Sequence, residues 1–182
     1  MRKILILVLG SGLALVTGLG PVLAAGLPGE AIAVNSRSCF SYHPEPGSTV
    51  KRLLVELHKE QVNPDDPPVL WGGVYAEMAN RQHPGFNVDG CGEGAKPGEL
   101  RCSYSCDAGA MTLETAEGGL KVTPDGLVLM SCGLSGSEMT GFQLNASDVG
   151  GGALVTPVDD GECRSVMAPL EKMIEDYENG IE

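Results

Sequence analysis

Basic residues are scarce in this chain. Only 12 Lys and Arg stand against 24 Asp and Glu, which gives a formal net charge of −12 at pH 7. After Arg2-Lys3 the basic residues are dispersed, and Lys51-Arg52 is the one adjacent pair. Nucleic acids and anionic membrane surfaces both attract clustered Lys and Arg. The composition therefore argues against binding to either of them.

Aromatic residues are also few, with 3 Phe, 4 Tyr and a single tryptophan, Trp71. A folded core must therefore be built mainly from Leu, Val and Met. Glycine and proline are plentiful by contrast, at 26 and 12 residues. This composition favours many short elements joined by tight turns over a few long helices.

The first 24 residues have the organisation of a signal peptide. A short basic start, Met1-Arg2-Lys3, precedes an apolar run at residues 4–16, and residues 22–24 offer a cleavage site after Ala24. The apolar run is short for a membrane span, and glycines and Pro21 interrupt the segment after it. We expect export to the periplasm or beyond, with no stable membrane anchor after cleavage. Without Arg2 and Lys3, 10 basic and 24 acidic residues remain, a net charge of −14.

Six cysteines lie after the expected cleavage site. An even number in an exported chain indicates three disulfides, for which 15 pairings exist. Free buried thiols and metal ligation are the alternatives, but Cys102-x-x-x-Cys106 lacks the two-residue spacing of zinc knuckles and redox pairs. We predict three bridges. Cys91–Cys102 and Cys106–Cys132 pair cysteines that are neighbours in the sequence and close short loops, and Cys39–Cys163 would tie the two ends of the domain together.

The remaining pattern predicts a mainly β protein: a single antiparallel domain, either a sandwich or a barrel-like meander, over residues 37–182, after a flexible lead at 25–36. Residues 50–58 fit a strand better than a helix, because they are rich in β-branched residues and flanked by Gly and Pro. Strands are also expected at 69–71 and 74–78 around a bulge or bend at Gly72-Gly73, and at 141–144 and 153–156. A three-stranded meander is expected over 110–130, with turns at 117–119 and 124–126. Residues 80–100 lack periodicity and predict a long loop.

A helix is expected at the end of the chain, over residues 169–179. Pro169 suits a first helical position, and apolar residues recur after it at the spacing of one helical face. Acidic residues at the end of this segment oppose the helix dipole, so packing must support the helix. We expect it to dock on the β domain through Leu170, Met173, Ile174 and Tyr177.

The cysteine and strand pattern resembles that of small exported bacterial proteins of unknown function. The resemblance covers residues 39–163 and lies in Cys39-Phe40-x-Tyr42-His43-Pro44, Gly90-Cys91, Cys106-Asp107-Ala108-Gly109-Ala110-Met111-x-Leu113, Cys132 and Cys163. It implies an exported β domain. It implies no activity, and no functional residue is carried over from it.

Nucleophilic catalysis has little support in the sequence. Ser135 lies in Gly-Leu-Ser-Gly-Ser at 133–137, which lacks the final glycine of a Gly-x-Ser-x-Gly elbow. His43, His58 and His83 could act as bases or metal ligands, but they share no close spacing. We interpret Ser135 as part of a surface turn and the histidines as ordinary loop and surface residues.

Acidic residues suggest two weaker possibilities. Calcium could bind either of two oxygen-rich segments, but neither has the alternating ligand spacing of a calcium loop. These segments are Asn87-x-Asp89-Gly90-x-x-Glu93 and Asp159-Asp160-Gly161-Glu162. A glycosidase would need paired carboxylates beside aromatic faces, and Trp71 with Tyr75 is the only aromatic cluster, which we assign to the core.

The sequence thus predicts no catalytic residue, cofactor or metal site. The favoured function is a non-enzymatic binding or structural module outside the cytoplasm, whose partner is a protein or an envelope component. A specific form of it is an inhibitor of a cationic enzyme such as a lysozyme, because the negative charge would steer association. The alternative is an envelope-acting hydrolase or enzyme subunit.

Overall fold

In the part of the chain that the structure describes, alternating apolar residues and glycine-rich turns form ten strands and one long helix. The computed structural model describes residues 27–81, 84–104, 107–129 and 141–178, with side chains described up to residue 172. The strands are β1 (Ser36–Tyr42), β2 (Val50–Glu60), β3 (Val69–Met78), β4 (Gly85–Glu93), β5 (Glu99–Ser103), β6 (Ala110–Ala116), β7 (Gly119–Asp125), β8 (Leu127–Leu129), β9 (Phe142–Leu144) and β10 (Ala153–Val158). A 3₁₀ turn (Ala146–Val149) precedes β10, and helix α1 (Asp160–Glu178) comes after it.

Eight of these strands close into an antiparallel barrel in the order β1-β10-β7-β6-β5-β4-β3-β2, with β2 returning to β1. The predicted mainly β, antiparallel, disulfide-containing fold with one C-terminal helix is confirmed. Of the two architectures expected, sandwich or barrel, the structure is the barrel. Closure leaves every barrel strand with a neighbour on each side.

The barrel interior is filled by side chains that alternate along each strand. On β2 the inward residues are Leu53, Val55 and Leu57, each 0% exposed. The interior of an eight-stranded barrel is just wide enough for side chains to fill it, and here the described inward residues form one continuous buried cluster. Leu, Val and Met supply most of it, as the scarcity of aromatic residues required.

Both ends of the barrel are covered by chain segments. At one end Ile32 joins the interior core, and Gly29 in the preceding turn lies against the side chain of Leu70. Ile32 belongs to the stretch expected to be a flexible lead. At the other end β8 and β9 form a separate two-stranded sheet, and Leu129 and Phe142 pack against Gly85.

Two expectations about the sheet were wrong. Residues 80–100 are not one long loop, because 85–93 and 99–103 form a hairpin, β4–β5. The strand after Gly126 does not complete a meander with β7, because β10 occupies that edge of β7 and β8 pairs with β9. Short-range patterning indicated the turn at Gly126, but the choice of partner strand was made by tertiary packing.

The expected bulge at Gly72-Gly73 is also wrong, because β3 pairs regularly with both neighbours there. The glycine is needed for space instead. The Cys91–Cys102 bridge lies against Gly72 inside the barrel, and a Cβ on Gly72 would be 2.6 Å from both sulfur atoms. A close approach of another group to the backbone is the second common reason for glycine in a strand.

Helix α1 begins at Asp160 and not at Pro169, so the predicted start was nine residues late. Pro169 lies inside the helix on its exposed side, where water can bind the carbonyl that loses its backbone partner. The helix docks on the outside of the barrel through Cys163, Met167 and Leu170. The expected contacts of Met173, Ile174 and Tyr177 lie outside the described side chains.

Two of the three expected disulfides are present. Cys39–Cys163 joins β1 to the start of α1 across 124 residues, and Cys91–Cys102 joins the paired strands β4 and β5. The third pair, Cys106 with Cys132, lies outside the described residues. Such bridges fit a compartment other than the reducing cytoplasm.

Within the described part of the chain, no helix combines the length and apolar character that crossing a bilayer requires.

Candidate functional site

The outward-facing side chains of β1 to β4 form a surface that we call the outer wall. Strand register arranges them in three rows, each of which crosses the four strands in order. The rows are Arg37–His58–Trp71–Gly90, Cys39–Glu56–Gly73–Val88 and Ser41–Leu54–Tyr75–Phe86. The rows differ sharply in polarity, and helix α1 covers the more apolar ones.

The third row and the Cys39 end of the second form the base on which the helix sits. Leu54, Tyr75 and Phe86 are buried there with Met167 of the helix, next to the Cys39–Cys163 bridge. The Tyr75 hydroxyl donates a hydrogen bond of 2.9 Å to Glu77 Oε1. Burial, and then that hydrogen bond, raises the pKa of Tyr75 to about 12. This residue is therefore part of a core, as expected, but of the helix-to-wall core.

Two arginines of the barrel hold the helix by its acidic side chains. Arg52 Nη2 lies 3.3 Å from Glu162 Oε1 near the helix start, and Arg37 Nη1 lies 3.5 Å from Glu171 Oε1 farther along. These contacts are about one-third exposed, so each is worth at most about 1 kcal/mol. Their main effect is to fix the direction in which α1 crosses the wall.

A recess opens where the helix leaves the first row uncovered. It has a volume of about 230 Å³. Its lining consists of Arg37, Glu56, His58, Glu60, Trp71, Gly73, Val88 and Glu171. A larger groove of about 520 Å³ lies beside the helix and shares Arg37, His58 and Glu171 with the recess.

Glu56 is the most deeply buried charged group of the recess, with a side chain 5% exposed. Arg37 donates a hydrogen bond of 2.7 Å to its Oε1. Burial nevertheless raises the pKa of Glu56, and the carboxylates of Glu171 and Asp160 add to the rise against the opposing effect of Arg37. Arg37 cannot fully offset the lost hydration, because it is one-third exposed and also contacts Glu171.

His58 lies directly across from Arg37 on β2, and it is half-buried. Burial first, and then the facing guanidinium, lowers the pKa of His58, while the carboxylates of Glu60 and Glu171 act in the opposite direction. The imidazole is therefore mainly neutral at pH 7. It can accept one hydrogen bond and donate another.

Trp71 completes the recess opposite His58 on β3. Its indole Nε1 is buried, and within the described residues it has no hydrogen-bond partner. A buried N–H without a protein partner is uncommon, and an acceptor supplied by water or by a bound group would satisfy it. The sequence analysis assigned Trp71 to the core and His58 to a loop or surface position. It gave no indication that strand register makes the two residues neighbours in a recess.

The other sequence candidates lie apart from this recess. His43 is exposed in the loop between β1 and β2, and Ser135 and His83 lie outside the described residues. Asn87, Asp89 and Glu93 are spread along strand β4, where Asn87 donates a hydrogen bond of 3.0 Å to the Val128 carbonyl.

The second acidic segment, residues 159–162, forms the start of helix α1. Asp159 Oδ1 accepts a hydrogen bond of 2.8 Å from the Gly161 N–H, which is a helix-capping contact. Across the described ranges, no three His, Cys, Asp or Glu side chains are grouped so that they could hold a metal ion.

The recess offers binding groups more readily than a reacting group. Its lining includes no Ser, Thr or Cys that could act as a nucleophile. It offers three carboxylates, one guanidinium, a neutral imidazole and an indole ring. Comparison of the chain with family models, curated proteins and solved structures found no match.

Proposed function

We propose that this protein is an exported, non-enzymatic binding module that acts in the periplasm or outside the cell. Its partner is a protein or an envelope component, and the recess of the outer wall, with the adjoining groove, is its binding surface. The observation that carries this proposal is Trp71, which lines the recess and whose buried indole N–H lacks a partner among the described residues.

The barrel supports this proposal by providing a rigid frame. A continuous cluster of described side chains fills its interior, segments of the chain lie against both of its ends, and the recess opens on its outer surface. The helix is tied to the wall by a disulfide and by two arginines. A surface held in this way loses little conformational entropy when a partner binds.

Affinity capture tests the proposal with a matched pair of charge variants. Glu60 is an exposed residue of the recess, and Glu117 is an exposed residue of the β6–β7 turn on the opposite side of the barrel. The oxidised protein, exported with its own N-terminal segment, is immobilised and exposed at low salt to envelope and secreted fractions of the native cell. We expect a partner identified by mass spectrometry to bind the unmodified chain and Glu117→Lys, but not Glu60→Lys.

Two outcomes would overturn the binding proposal. One is that no partner is retained by the unmodified chain at low salt. The other is that Glu60→Lys retains the same partner as fully as Glu117→Lys, which would place recognition elsewhere on the molecule. Thermal unfolding of both variants serves as the control that the charge changes leave the fold intact.

An envelope-acting hydrolase is the second candidate, and one observation favours it. Glu56, whose pKa is raised by burial, and His58 line the same recess, and a carboxyl group with a raised pKa is a common general acid. Incubation with native envelope material, with analysis of the products, distinguishes this function. Turnover that is lost in both Glu56→Gln and His58→Gln would favour the hydrolase over the binding module.

A further inference from the structure

We propose that the recess binds the side-chain cation of a lysine or arginine from a basic segment of the partner protein. This inference rests on the proposed function, because it names the chemistry that the same recess would recognise. Three properties of the recess support it: its charge, its aromatic wall and its size.

The charge of the recess favours a cation. Three carboxylates, those of Glu56, Glu60 and Glu171, line the recess together with the single guanidinium of Arg37. Arg37 is already engaged at 2.7 Å by Glu56 and at 3.5 Å by Glu171. Glu60 makes no salt bridge with any described residue, and the neutral His58 adds no opposing charge. A cation would therefore meet a site with an excess of negative charge, while an anion would be repelled.

The aromatic wall suits the same kind of ligand. The face of a tryptophan ring attracts ammonium and guanidinium groups more strongly than the other aromatic rings do. The buried Nε1 of Trp71 is a donor and cannot pair with a cation. It requires an acceptor, which a peptide supplies in its backbone carbonyl groups. A peptide ligand thus provides both groups that the recess lacks, whereas a free amine provides only the cation.

The size of the recess limits what can enter it. Its volume of about 230 Å³ is below the roughly 300–1,000 Å³ of sites that enclose small-molecule ligands. One long side chain fits such a space. The adjoining groove of about 520 Å³, which shares Arg37, His58 and Glu171, gives the flanking residues of a peptide a path along the helix.

Intrinsic fluorescence can test this inference directly, because Trp71 is the only tryptophan of the chain. The oxidised protein is titrated at low salt with trilysine that is acetylated at its N-terminus and amidated at its C-terminus. Two probes serve as controls: the same peptide with its three side-chain amines acetylated, and spermidine, which carries the same charge without a peptide backbone.

We expect a saturable change in Trp71 emission with trilysine and none with the neutral peptide. The dissociation constant should rise about 10-fold in Glu60→Lys, because the lost attraction is joined by a new repulsion of similar size. It should stay unchanged in Glu117→Lys, which carries the same charge change on the far side of the barrel. Added salt should weaken the binding.

Three results would overturn the inference. Equal responses to the charged and the neutral peptide would remove the role of the cation. Tighter binding of spermidine than of trilysine would assign the site to free polyamines. Equal affinities of Glu60→Lys and Glu117→Lys for trilysine would show that the cation binds elsewhere on the protein.

The capture experiment separates this inference from the proposed function. If a captured partner depends on Glu60 but trilysine does not bind, the binding module stands and the cation inference fails. If trilysine binds but no partner is captured, the recess keeps its chemistry and the proposed function fails.

Discussion

The inward face of strands β1 to β4 and the part of their outward face that lines the recess differ in chemical character. On β2, Leu53, Val55 and Leu57 face inward and are fully buried. On the same strand, Glu56 and His58 face outward and line the recess. Successive side chains of a strand point to opposite faces, so eleven residues of one strand serve two surfaces with opposite chemical requirements.

The two faces also differ in how they are held together. The interior is continuous around the barrel and closed by strand pairing. The outer wall depends on a single helix that must be kept in place by a disulfide, two arginine contacts and a small apolar cluster. The interior therefore governs whether the barrel forms, while the attachments of the helix govern whether the recess exists.

The largest effect is expected from removing the bridge that attaches the helix. The double variant Cys39→Ala/Cys163→Ala should lose about 5 kcal/mol of stability, because the bridge spans 124 residues and restricts the unfolded chain strongly. The interior variant Cys91→Ala/Cys102→Ala, whose bridge spans 11 residues, should lose about 3 kcal/mol. Urea unfolding monitored by far-ultraviolet circular dichroism measures both.

The order of the two losses is the decisive quantity. If Cys39→Ala/Cys163→Ala is as stable as Cys91→Ala/Cys102→Ala, the bridge adds little to the attachment of the helix beyond the arginine contacts and packing. The two faces would then not differ in how they are held together.

A second comparison uses the adjacent glycines of β3, which face opposite sides. Gly72→Ala should destabilise the barrel by about 1–3 kcal/mol, because the new Cβ would lie 2.6 Å from both sulfur atoms of the interior bridge. Gly73→Ala should change stability by less than about 1 kcal/mol, because its nearest neighbour on the outer wall is Met167 Sδ at 3.5 Å.

Thermal unfolding and a free-thiol assay report the outcome for the two glycine variants. Gly72→Ala should also increase the fraction of free thiol, since the bridge has to move to make room. Equal losses of stability in the two variants would contradict the assignment of Gly72 to the interior and Gly73 to the outer wall.

The smallest effect concerns the buried carboxylate of the recess. Burial raises the pKa of Glu56 above its ordinary value of 4.5, so the folded chain binds the proton more tightly than the unfolded chain does. The resulting stability is fully present below the unfolded pKa and is lost as the pH rises through the folded one. Relative to Glu56→Gln, the unmodified chain should therefore gain stability as the pH is lowered from 8 toward 4.5.

Melting temperatures of the two chains at several pH values test the direction of this effect. A difference between them that grows as the pH rises would mean that the ion pair with Arg37 outweighs burial. A difference that is constant across the range would mean that the two effects cancel.

Local sequence patterns predicted secondary structure correctly in segments where apolar residues alternate or turn residues occur. The strands within 50–60 and 69–78 and the hairpin turn at Gly118 are predictable from alternation and turn residues, which act over a few positions. The β4–β5 hairpin carries little such signal, because residues 85–103 are polar and rich in glycine. It forms because β3, β6 and the Cys91–Cys102 bridge hold it in place.

The recess was beyond the reach of sequence patterns for a related reason. Alternation along β2 places Glu56 and His58 on one face, but it does not show which residues of other strands stand beside them. Arg37 comes from β1, Trp71 from β3 and Glu171 from the helix. Their proximity depends on strand register and on where the helix crosses, and both are set by contacts between distant segments.

By itself, the amino-acid sequence determined that this protein is an acidic, mainly β domain with a terminal helix, since composition, alternation and turn residues are local properties. It also indicated the two bridges that the structure describes, because the spacing of those cysteines suits one short and one long loop. Only the tertiary structure decided that the sheet closes into a barrel, that α1 begins at Asp160, and that a carboxylate, an imidazole and an indole share one recess. The reason is physical: closure, docking and register minimise the free energy of the whole chain, and no short segment contains that information.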